Sequence, residues 1–293
     1  MDHAILGAGA IGGLVGTALA SLGEDVTLIV RPEKLSAYPG TLSLEQPSGT
    51  LTAKARAVDK LTKPVGVLWV ATKTYQLEAA LARVEATPGI IVPLLNGVDH
   101  VATLRVRYGS DRVVSATIAV EAEQLAPGRF VQRSPVRLNI AASGEPVLGG
   151  TVQRLGEIGF VCQFVANELS LLWGKVCFLA PFALVTSASG KDLGEISADP
   201  AWKATLHSAV AEACDVANAS GAEVDVAKTQ AIFDTLPATM RSSMAKDLAA
   251  GRQLELDGIV GPILRGGTQH RVAVPITEKL AATIQELAAA HPA

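Results

Sequence analysis

A glycine-rich segment near the beginning of the chain has the residue types and spacing of a phosphate-binding turn. Gly7 would form the tight turn out of a strand, Gly9 would let the backbone approach a pyrophosphate, and Gly12 would let the next helix lie close to the strand. The unpaired N–H groups at the start of that helix, at Ala10 and Ile11, would face the phosphates, where the helix dipole favours negative charge. The segment is therefore a candidate dinucleotide site.

The residues around this turn predict a strand–helix–strand unit. Residues 4–6 are apolar, residues 14–22 favour a helix that Gly23 stops, and residues 25–30 have the pattern of a buried parallel strand. That order is the one a dinucleotide site requires. We therefore prefer this interpretation to a glycine-rich turn in some other α/β protein.

Arg31 follows the second predicted strand and favours NADP over NAD. An NAD site usually has a carboxylate there for the ribose 2′-OH, whereas Glu24 and Asp25 lie at the other end of this strand. A guanidinium can bind a 2′-phosphate with two hydrogen bonds and stack on adenine. The alternative is a solvated arginine without a ligand.

Lys73 and Asn96 follow two further predicted strands, at residues 65–71 and 90–95. Ligands of open α/β sheets bind outside the carboxyl ends of the strands. We therefore expect both side chains near the glycine turn, where they could contact phosphate, ribose or a substrate. Each could instead be only a turn residue.

Lys175 stands out because residues 171–179 are otherwise apolar. A lysine is rarely buried without a partner, so we expect it to have a carboxylate partner or a catalytic role. The alternative is a lysine at a helix edge that extends its ammonium group to water.

A second polar cluster lies between residues 242 and 257. We expect Ser243 to cap a helix that runs to Ala250, and Glu255 and Asp257 to point to different sides of the next helix. Helix capping and surface charge would also explain these residues.

The pattern of predicted secondary structure changes near residue 166. Before it, strand-like and helix-like segments alternate, which predicts a mostly parallel sheet flanked by helices. After it, long Ala/Leu-rich stretches predict helices alone. We therefore predict an α/β Rossmann-type NADP-binding domain over residues 1–166 and an all-α substrate or dimerisation domain over residues 167–293.

Composition excludes several classes of function. A formal charge of −3 gives no general attraction for nucleic acid or an anionic membrane. Isolated cysteines and the absence of metal-ligand spacing argue against a disulfide framework or a metal site. The first apolar run lacks the preceding cationic region of a signal peptide. We therefore expect a cytoplasmic protein.

The longest apolar run, residues 176–185, covers about half of a membrane span and contains Pro181. It predicts a buried helix rather than a membrane anchor.

Taken together, these segments resemble the ketopantoate reductases (2-dehydropantoate 2-reductases), which join a Rossmann domain to a C-terminal helical domain. The matching positions run through nearly the whole chain in the family's order: Gly7-x-Gly9-x-x-Gly12-Gly13, Arg31, Lys73-x-x-Gln76, Leu95-Asn96-Gly97-Val98, Trp173-x-Lys175, Ser242-Ser243-Met244, Asp247, Gly251-Arg252 and Glu255-Leu256-Asp257. The last segment is the most specific, because a generic Rossmann protein does not require it.

The resemblance implies NADPH-dependent reduction of a 2-oxo acid to a 2-hydroxy acid, as from ketopantoate to pantoate in the pantothenate pathway. It implies that Lys175 is the general acid, that Glu255 positions the substrate or Lys175, and that Ser243 contacts the substrate carboxylate. It also implies these NADP(H) contacts: Gly7, Gly9, Ala10, Ile11, Gly12, Arg31, Lys73 and Asn96, the last two also lining the substrate site. An ammonium group can stabilise the negative charge that develops on the carbonyl oxygen and then protonate it.

One departure from the family concerns the substrate. The family's lysine helix commonly has asparagines four and eight residues after the lysine, where this chain has Leu179 and Ala183. We expect this pair to line an altered pocket, so that ketopantoate is either a poor substrate or not the natural one, and a more apolar 2-oxo acid is favoured. We also expect Pro181 to interrupt the helix and free the Cys177 carbonyl.

Two other functions remain open at this point. A β-hydroxy-acid dehydrogenase shares the two-domain plan and a helical-domain lysine, but the pattern of residues 243–257 argues against it. A non-catalytic NADP-binding sensor would explain the missing asparagines, but not the presence of Lys175, Ser243 and Glu255. The expected partner is a small-molecule 2-oxo acid, and either a monomer or a homodimer fits the sequence.

Overall fold

Two compact units make up the structure, a computed structural model that describes residues 1–290. The first unit comprises Met1–Leu95 and His100–Glu168, and the second comprises Asn96–Asp99 together with the chain from Leu169 onward. The domain limits of 1–166 and 167–293 remain a proposal. Those limits place Asn96–Asp99 in the first domain, whereas the structure assigns this segment to the second unit.

The first unit contains the strands of residues 1–290 and five α-helices. The strands are β1 (Asp2–Leu6), β2 (Asp25–Ile29), β3 (Thr41–Gln46), β4 (Gly49–Lys54), β5 (Arg56–Val58), β6 (Val67–Val70), β7 (Ile90–Pro93), β8 (Ala116–Ala119), β9 (Ala122–Ala126), β10 (Arg129–Gln132), β11 (Arg137–Ala141) and β12 (Val161–Val165). The helices are α1 (Ala10–Ser21), α2 (Pro32–Leu35), α3 (Leu77–Leu81), α4 (His100–Tyr108) and α5 (Glu145–Glu157).

A five-stranded sheet in the order β5-β2-β1-β6-β7 carries the glycine turn, and all of its pairs are parallel. Its central strands are almost wholly buried, because a parallel sheet is covered on both faces. The predicted strand–helix–strand unit is confirmed as β1, α1 and β2.

Two further sheets, β4-β3-β10-β9 and β12-β11-β8, depart from the single, mostly parallel sheet predicted above. Strands β3 and β4 pair antiparallel as a hairpin, with Gln46 opposite Gly49. The strand-like pattern of residues 113–122 predicts a single strand. The structure has two strands there, β8 and β9, which belong to different sheets. Periodicity alone does not show such a division, because strand partners are chosen by distant residues.

The second unit is helical, as predicted. Its helices within residues 1–290 are α6 (Glu168–Ser189), α7 (Leu193–Ala198), α8 (Pro200–Ala219), α9 (Val226–Ile232), α10 (Ser243–Ala249), α11 (Leu256–His270) and α12 (Pro275–Ala290). The α/β Rossmann-type unit followed by an all-α unit confirms the predicted fold class.

Helix α6 is 22 residues long and apolar enough to cross a membrane by length and composition, but 67% of its apolar window is buried inside the protein. That burial is typical of a core helix, as expected for residues 176–185. The expected interruption at Pro181 is wrong, because the helix continues through it. Apolar packing around Pro181, which is itself buried, offsets the missing N–H donor.

Candidate active site

The glycine turn between β1 and α1 has the geometry of a phosphate cradle. Gly7 has a φ of 95°, in the left-handed region that favours glycine. A Cβ placed on Gly12 would lie 2.0 Å from the Gly7 carbonyl oxygen, so the helix can approach the strand only without a side chain there. A Cβ on Gly9 would meet nothing within 4 Å. The side-chain position of Gly9 therefore opens onto space that a ligand can enter.

The N-terminus of α1 is suited to bind an anion. Gly9 is its N-cap residue, no side chain caps it, and its first turn carries no acidic residue. The backbone N–H groups of Ala10 and Ile11 belong to this first turn, and both residues are half-buried. Unpaired N–H groups and the helix dipole favour a phosphate at such a helix end.

Arg31 follows β2 and precedes α2 directly. Its side chain is 55% exposed, and its Nε lies 3.3 Å from Glu33 Oε1, a carboxylate that is itself exposed. An exposed pair of this kind is held weakly, so the guanidinium can exchange Glu33 for a phosphate.

Lys73 lies in the loop that follows β6, and this loop contacts the glycine turn. A Cβ on Gly7 would lie 2.8 Å from Thr72 Cγ2 and 2.9 Å from the Ala71 carbonyl oxygen. Lys73 is half-buried at the start of a short 3-10 turn over Thr74–Gln76. Lys73 therefore directly follows a residue, Thr72, whose methyl group lies beside the glycine turn.

Asn96 belongs to the second unit, where its segment packs on α11. Gly97 has a φ of 86°, and a Cβ there would lie 2.0 Å from the Gly258 carbonyl oxygen. The Arg265 guanidinium binds Asp99 Oδ2 through Nη2 at 2.5 Å and Asp257 Oδ1 through Nη1 at 2.6 Å. Sequence reasoning missed Arg265 and Asp99, because 166 positions separate them and no local pattern links them.

Glu255 immediately precedes α11 and is only 5% exposed. Its Oε2 accepts a hydrogen bond from Asn96 Nδ2 at 3.4 Å. A buried carboxylate requires such polar partners, because burial of an unpaired charge costs several kcal/mol.

Lys175 is half-buried on α6. Burial of its ammonium group lowers the pKa of Lys175 to about 8, and the Glu255 carboxylate opposes that shift. In the second unit, the Glu255 carboxylate thus accepts a hydrogen bond from Asn96 and interacts electrostatically with Lys175, so one carboxylate links three predicted site residues. A pKa close to neutral lets an amine donate a proton readily and be protonated again at physiological pH.

Ser243 does not cap α10 as expected. Ser242 is the N-cap residue: its Oγ accepts a hydrogen bond from the Ala245 N–H at 3.0 Å and lies 2.7 Å from Thr186 Oγ1. The backbone leaves its extended conformation one residue earlier than the pattern suggested. Ser242 is buried, whereas Ser243 is an exposed first residue of the helix. The substrate role of Ser243 remains a prediction.

Leu179 and Ala183 lie one and two turns beyond Lys175 on α6. Leu179 is half-buried and packs against the helical core, but Ala183 has no exposed surface. The expectation that both line a pocket is therefore wrong for Ala183, whose surroundings are filled by core side chains. Leu179 keeps accessible surface on the same helix as Lys175.

Comparison with known proteins adds an independent line of evidence. The family model described as "Ketopantoate reductase PanE/ApbA" matches residues 3–145, and the model of the same family's C-terminal domain matches residues 168–288. A 2-dehydropantoate 2-reductase of Caulobacter vibrioides is 30% identical and covers 97% of this chain and 98% of its own length. An uncharacterised oxidoreductase of Bacillus subtilis, YkpB, is 24% identical over 97% of this chain and 98% of its own.

Solved structures agree. A PanE/ApbA family ketopantoate reductase from Ralstonia eutropha superposes with a TM-score of 0.86 at 25% identity, covering 99% of both chains. D-mandelate dehydrogenase, solved with NADH and anilino(oxo)acetate, superposes with a TM-score of 0.88 at 22% identity, also covering 99% of both chains. The second likeness concerns the fold alone.

Both halves of the chain thus match the two domains of one family, and a relative of that family aligns along nearly the whole length. This chain belongs to the ketopantoate reductase family, a family of NAD(P)-dependent oxidoreductases.

Proposed function

We propose that this protein uses NADPH to reduce a 2-oxo acid to a 2-hydroxy acid, with ketopantoate as the first substrate to test. The observations that carry the proposal are the hydrogen bond from Asn96 to the buried Glu255 carboxylate and the electrostatic interaction of that carboxylate with Lys175. Relatives named 2-dehydropantoate 2-reductase support the choice of ketopantoate.

The glycine turn would hold the cofactor's pyrophosphate. The open space at Gly9 and the uncapped start of α1 fit such a group, because neither a Cβ nor a capping side chain fills the cradle. When bound, the nicotinamide supplies hydride to the carbonyl carbon of the substrate. Lys73, beside the loop that touches the turn, would add a positive charge for phosphate or a substrate carboxylate.

Lys175 would supply the proton. Negative charge develops on the carbonyl oxygen during reduction, and an ammonium group close to it stabilises that charge before transferring a proton. Glu255 would keep Lys175 charged and oriented, since its carboxylate raises the pKa that burial lowers. Asn96 would hold the Glu255 carboxylate or bind the substrate or nicotinamide ribose. Ser243 would contact the substrate carboxylate.

NADPH, rather than NADH, is the proposed cofactor because Arg31 stands at the end of β2. Its exposed guanidinium forms an ion pair with Glu33, which is itself exposed. A 2′-phosphate offers two negative oxygens in the geometry that a guanidinium binds best.

A more apolar 2-oxo acid is a second candidate, and Leu179 favours it. An aliphatic side chain one turn from Lys175 offers no hydrogen bond to the hydroxyl group of ketopantoate. A polar substrate group left unpaired in a closed site costs about 1–3 kcal/mol. D-mandelate dehydrogenase, which shares the fold, was solved with the aromatic compound anilino(oxo)acetate.

The working form would be a cytoplasmic monomer or homodimer. The formal charge of −3 and the three free cysteines suit a reducing compartment without a nucleic-acid partner. Light scattering of the purified protein would distinguish the two assemblies.

The decisive experiment follows NADPH oxidation by the purified protein with ketopantoate and with aliphatic and aromatic 2-oxo acids. The proposal expects saturable turnover that Lys175→Ala lowers by about 10²- to 10⁴-fold. Tight NADPH binding without oxidation in the presence of any 2-oxo acid would contradict it and favour a non-catalytic binding protein.

A further inference from the structure

A carbonyl group inside the glycine turn has two hydrogen-bond donors that come from far along the chain. Tyr38 donates its hydroxyl proton to the Ala8 carbonyl oxygen at 2.8 Å. Gln124 Nε2 donates to the same oxygen at 3.1 Å and lies 3.2 Å from the Tyr38 hydroxyl, which accepts from it. The three groups form a closed triangle of hydrogen bonds.

The donors reach Ala8 from two different elements of the first unit. Tyr38 lies in the loop between α2 and β3, and Gln124 lies on β9 of the four-stranded sheet. Ala8 is 7% exposed and Tyr38 is half-buried. Burial raises the pKa of Tyr38, so its hydroxyl stays protonated and able to donate throughout the neutral range.

The four-stranded sheet is packed tightly on the same helix that follows the turn. Helix α1 contacts β4, β9 and β10. A Cβ on Gly13 would lie 2.0 Å from the Phe130 ring of β10, so this contact requires the second glycine of the Gly12-Gly13 pair. The position of Gln124 relative to the turn is therefore set by close packing rather than by a surface loop.

Fixing the Ala8 carbonyl also fixes the N–H of Gly9. The peptide bond that joins them is planar and trans, so its N–H points opposite to its C=O. A carbonyl held by Tyr38 and Gln124 thus turns the Gly9 N–H away from them. Gly9 is the residue whose side-chain position is open to a ligand.

We propose that Tyr38 and Gln124 are positioning residues that hold the glycine turn in the conformation that receives the cofactor's pyrophosphate. The proposal rests on the proposed use of a nicotinamide dinucleotide. In this proposal the four-stranded sheet has a structural role, because it positions Gln124 and Phe130 against the dinucleotide-binding segment.

The test compares Tyr38→Phe, Gln124→Leu and the double variant with the parent protein. Tyr108→Phe is the matched control, because it removes a phenol hydroxyl from half-buried Tyr108 at the end of α4. The ligands are NADPH, NADH and adenosine 2′-monophosphate, which lacks the pyrophosphate. Affinities come from NADPH fluorescence and from competition against NADPH, and thermal unfolding reports on the fold.

We expect each single variant to weaken NADPH and NADH equally, by about 3- to 10-fold, the effect of one hydrogen bond. The double variant should lose more, while adenosine 2′-monophosphate binds as to the parent. Unchanged NADPH affinity in the double variant would overturn the proposal. An equal loss for adenosine 2′-monophosphate would also overturn it, since the residues would then shape the adenosine pocket or the fold in general.

Failure of this inference differs from failure of the proposed function. If the parent protein binds neither NADPH nor NADH, the proposed function itself is wrong and this inference falls with it. If the parent binds and reduces substrates while the variants bind normally, only the role of Tyr38 and Gln124 is wrong.

Discussion

Asn96 donates a hydrogen bond to the buried Glu255 carboxylate at 3.4 Å, although 159 positions separate the two residues. Lys175 interacts with the same carboxylate. Gly97, packed against the Gly258 carbonyl, holds the segment of Asn96 on α11. One buried carboxylate thus has a hydrogen bond from an amide and an electrostatic interaction with an ammonium group.

Replacing Lys175 with alanine should lower kcat by about 10²- to 10⁴-fold, the usual contribution of a general acid. Arginine should not restore the rate, because a guanidinium does not release its proton near neutral pH. Steady-state NADPH oxidation measures both variants. Lys203→Ala on α8 removes an exposed lysine and should leave kcat unchanged. A Lys175→Ala enzyme with parental kcat would remove the lysine from the mechanism.

The rate of reduction should fall as pH rises through about 8. The ammonium form of Lys175 donates the proton, so kcat is full below the pKa of Lys175 and is lost above it. Glu255 raises that pKa, so Glu255→Gln should move the falling limb to lower pH. Profiles of kcat against pH measure the shift. A limb that stays in place would show that another group limits the rate.

Replacing Arg31 with alanine should weaken NADPH binding by about 1.5–3 kcal/mol, the scale of a hydrogen bond to a charged group. NADH affinity should stay nearly unchanged, because NADH has no 2′-phosphate. Fluorescence titrations with both cofactors provide the measurement. Arg133→Ala, which removes another exposed arginine paired with a glutamate, should affect neither. Equal losses for both cofactors would place Arg31 outside the 2′-phosphate site.

Substitutions of Ser242 and Ser243 should affect different properties, the first protein stability and the second substrate binding. Ser242→Ala should lower the free energy of unfolding by about 1–2 kcal/mol, because it removes a helix cap and a buried partner of Thr186. Ser243→Ala should leave stability within about 0.5 kcal/mol and raise the KM of the 2-oxo acid. Urea unfolding and kinetics measure both. The reverse pattern would contradict the assignment of the cap.

Leu179→Asn should raise kcat/KM for ketopantoate by about 5-fold, since one regained hydrogen bond contributes about 1 kcal/mol. Activity with apolar 2-oxo acids should fall. Leu179→Ala controls for lost volume, and Leu169→Asn places an amide at an exposed position of α6. If the parent protein, with Leu179 in place, already prefers ketopantoate to apolar 2-oxo acids by a wide margin, the proposed role of Leu179 in substrate preference is wrong.

Local sequence was enough to predict the glycine turn, the first strand–helix–strand unit, Arg31 after β2 and the change to a helical second unit. These features depend on spacing within about 30 residues and on apolar periodicity, which neighbouring residues determine by themselves. Local sequence also predicts that Lys175 has a carboxylate partner or a catalytic role, because a charged residue inside an apolar stretch is rarely buried without a partner.

The tertiary structure decided which distant residues meet. It joined Asn96 to Glu255, Arg265 to Asp99, and Tyr38 and Gln124 to Ala8. It also chose Ser242 over Ser243 as the cap and kept α6 continuous through Pro181. A cap, a strand partner or a proline in a helix is settled by small free-energy differences, which packing against distant residues readily exceeds. Such contacts leave no periodic trace along the chain, so only the folded protein reveals them.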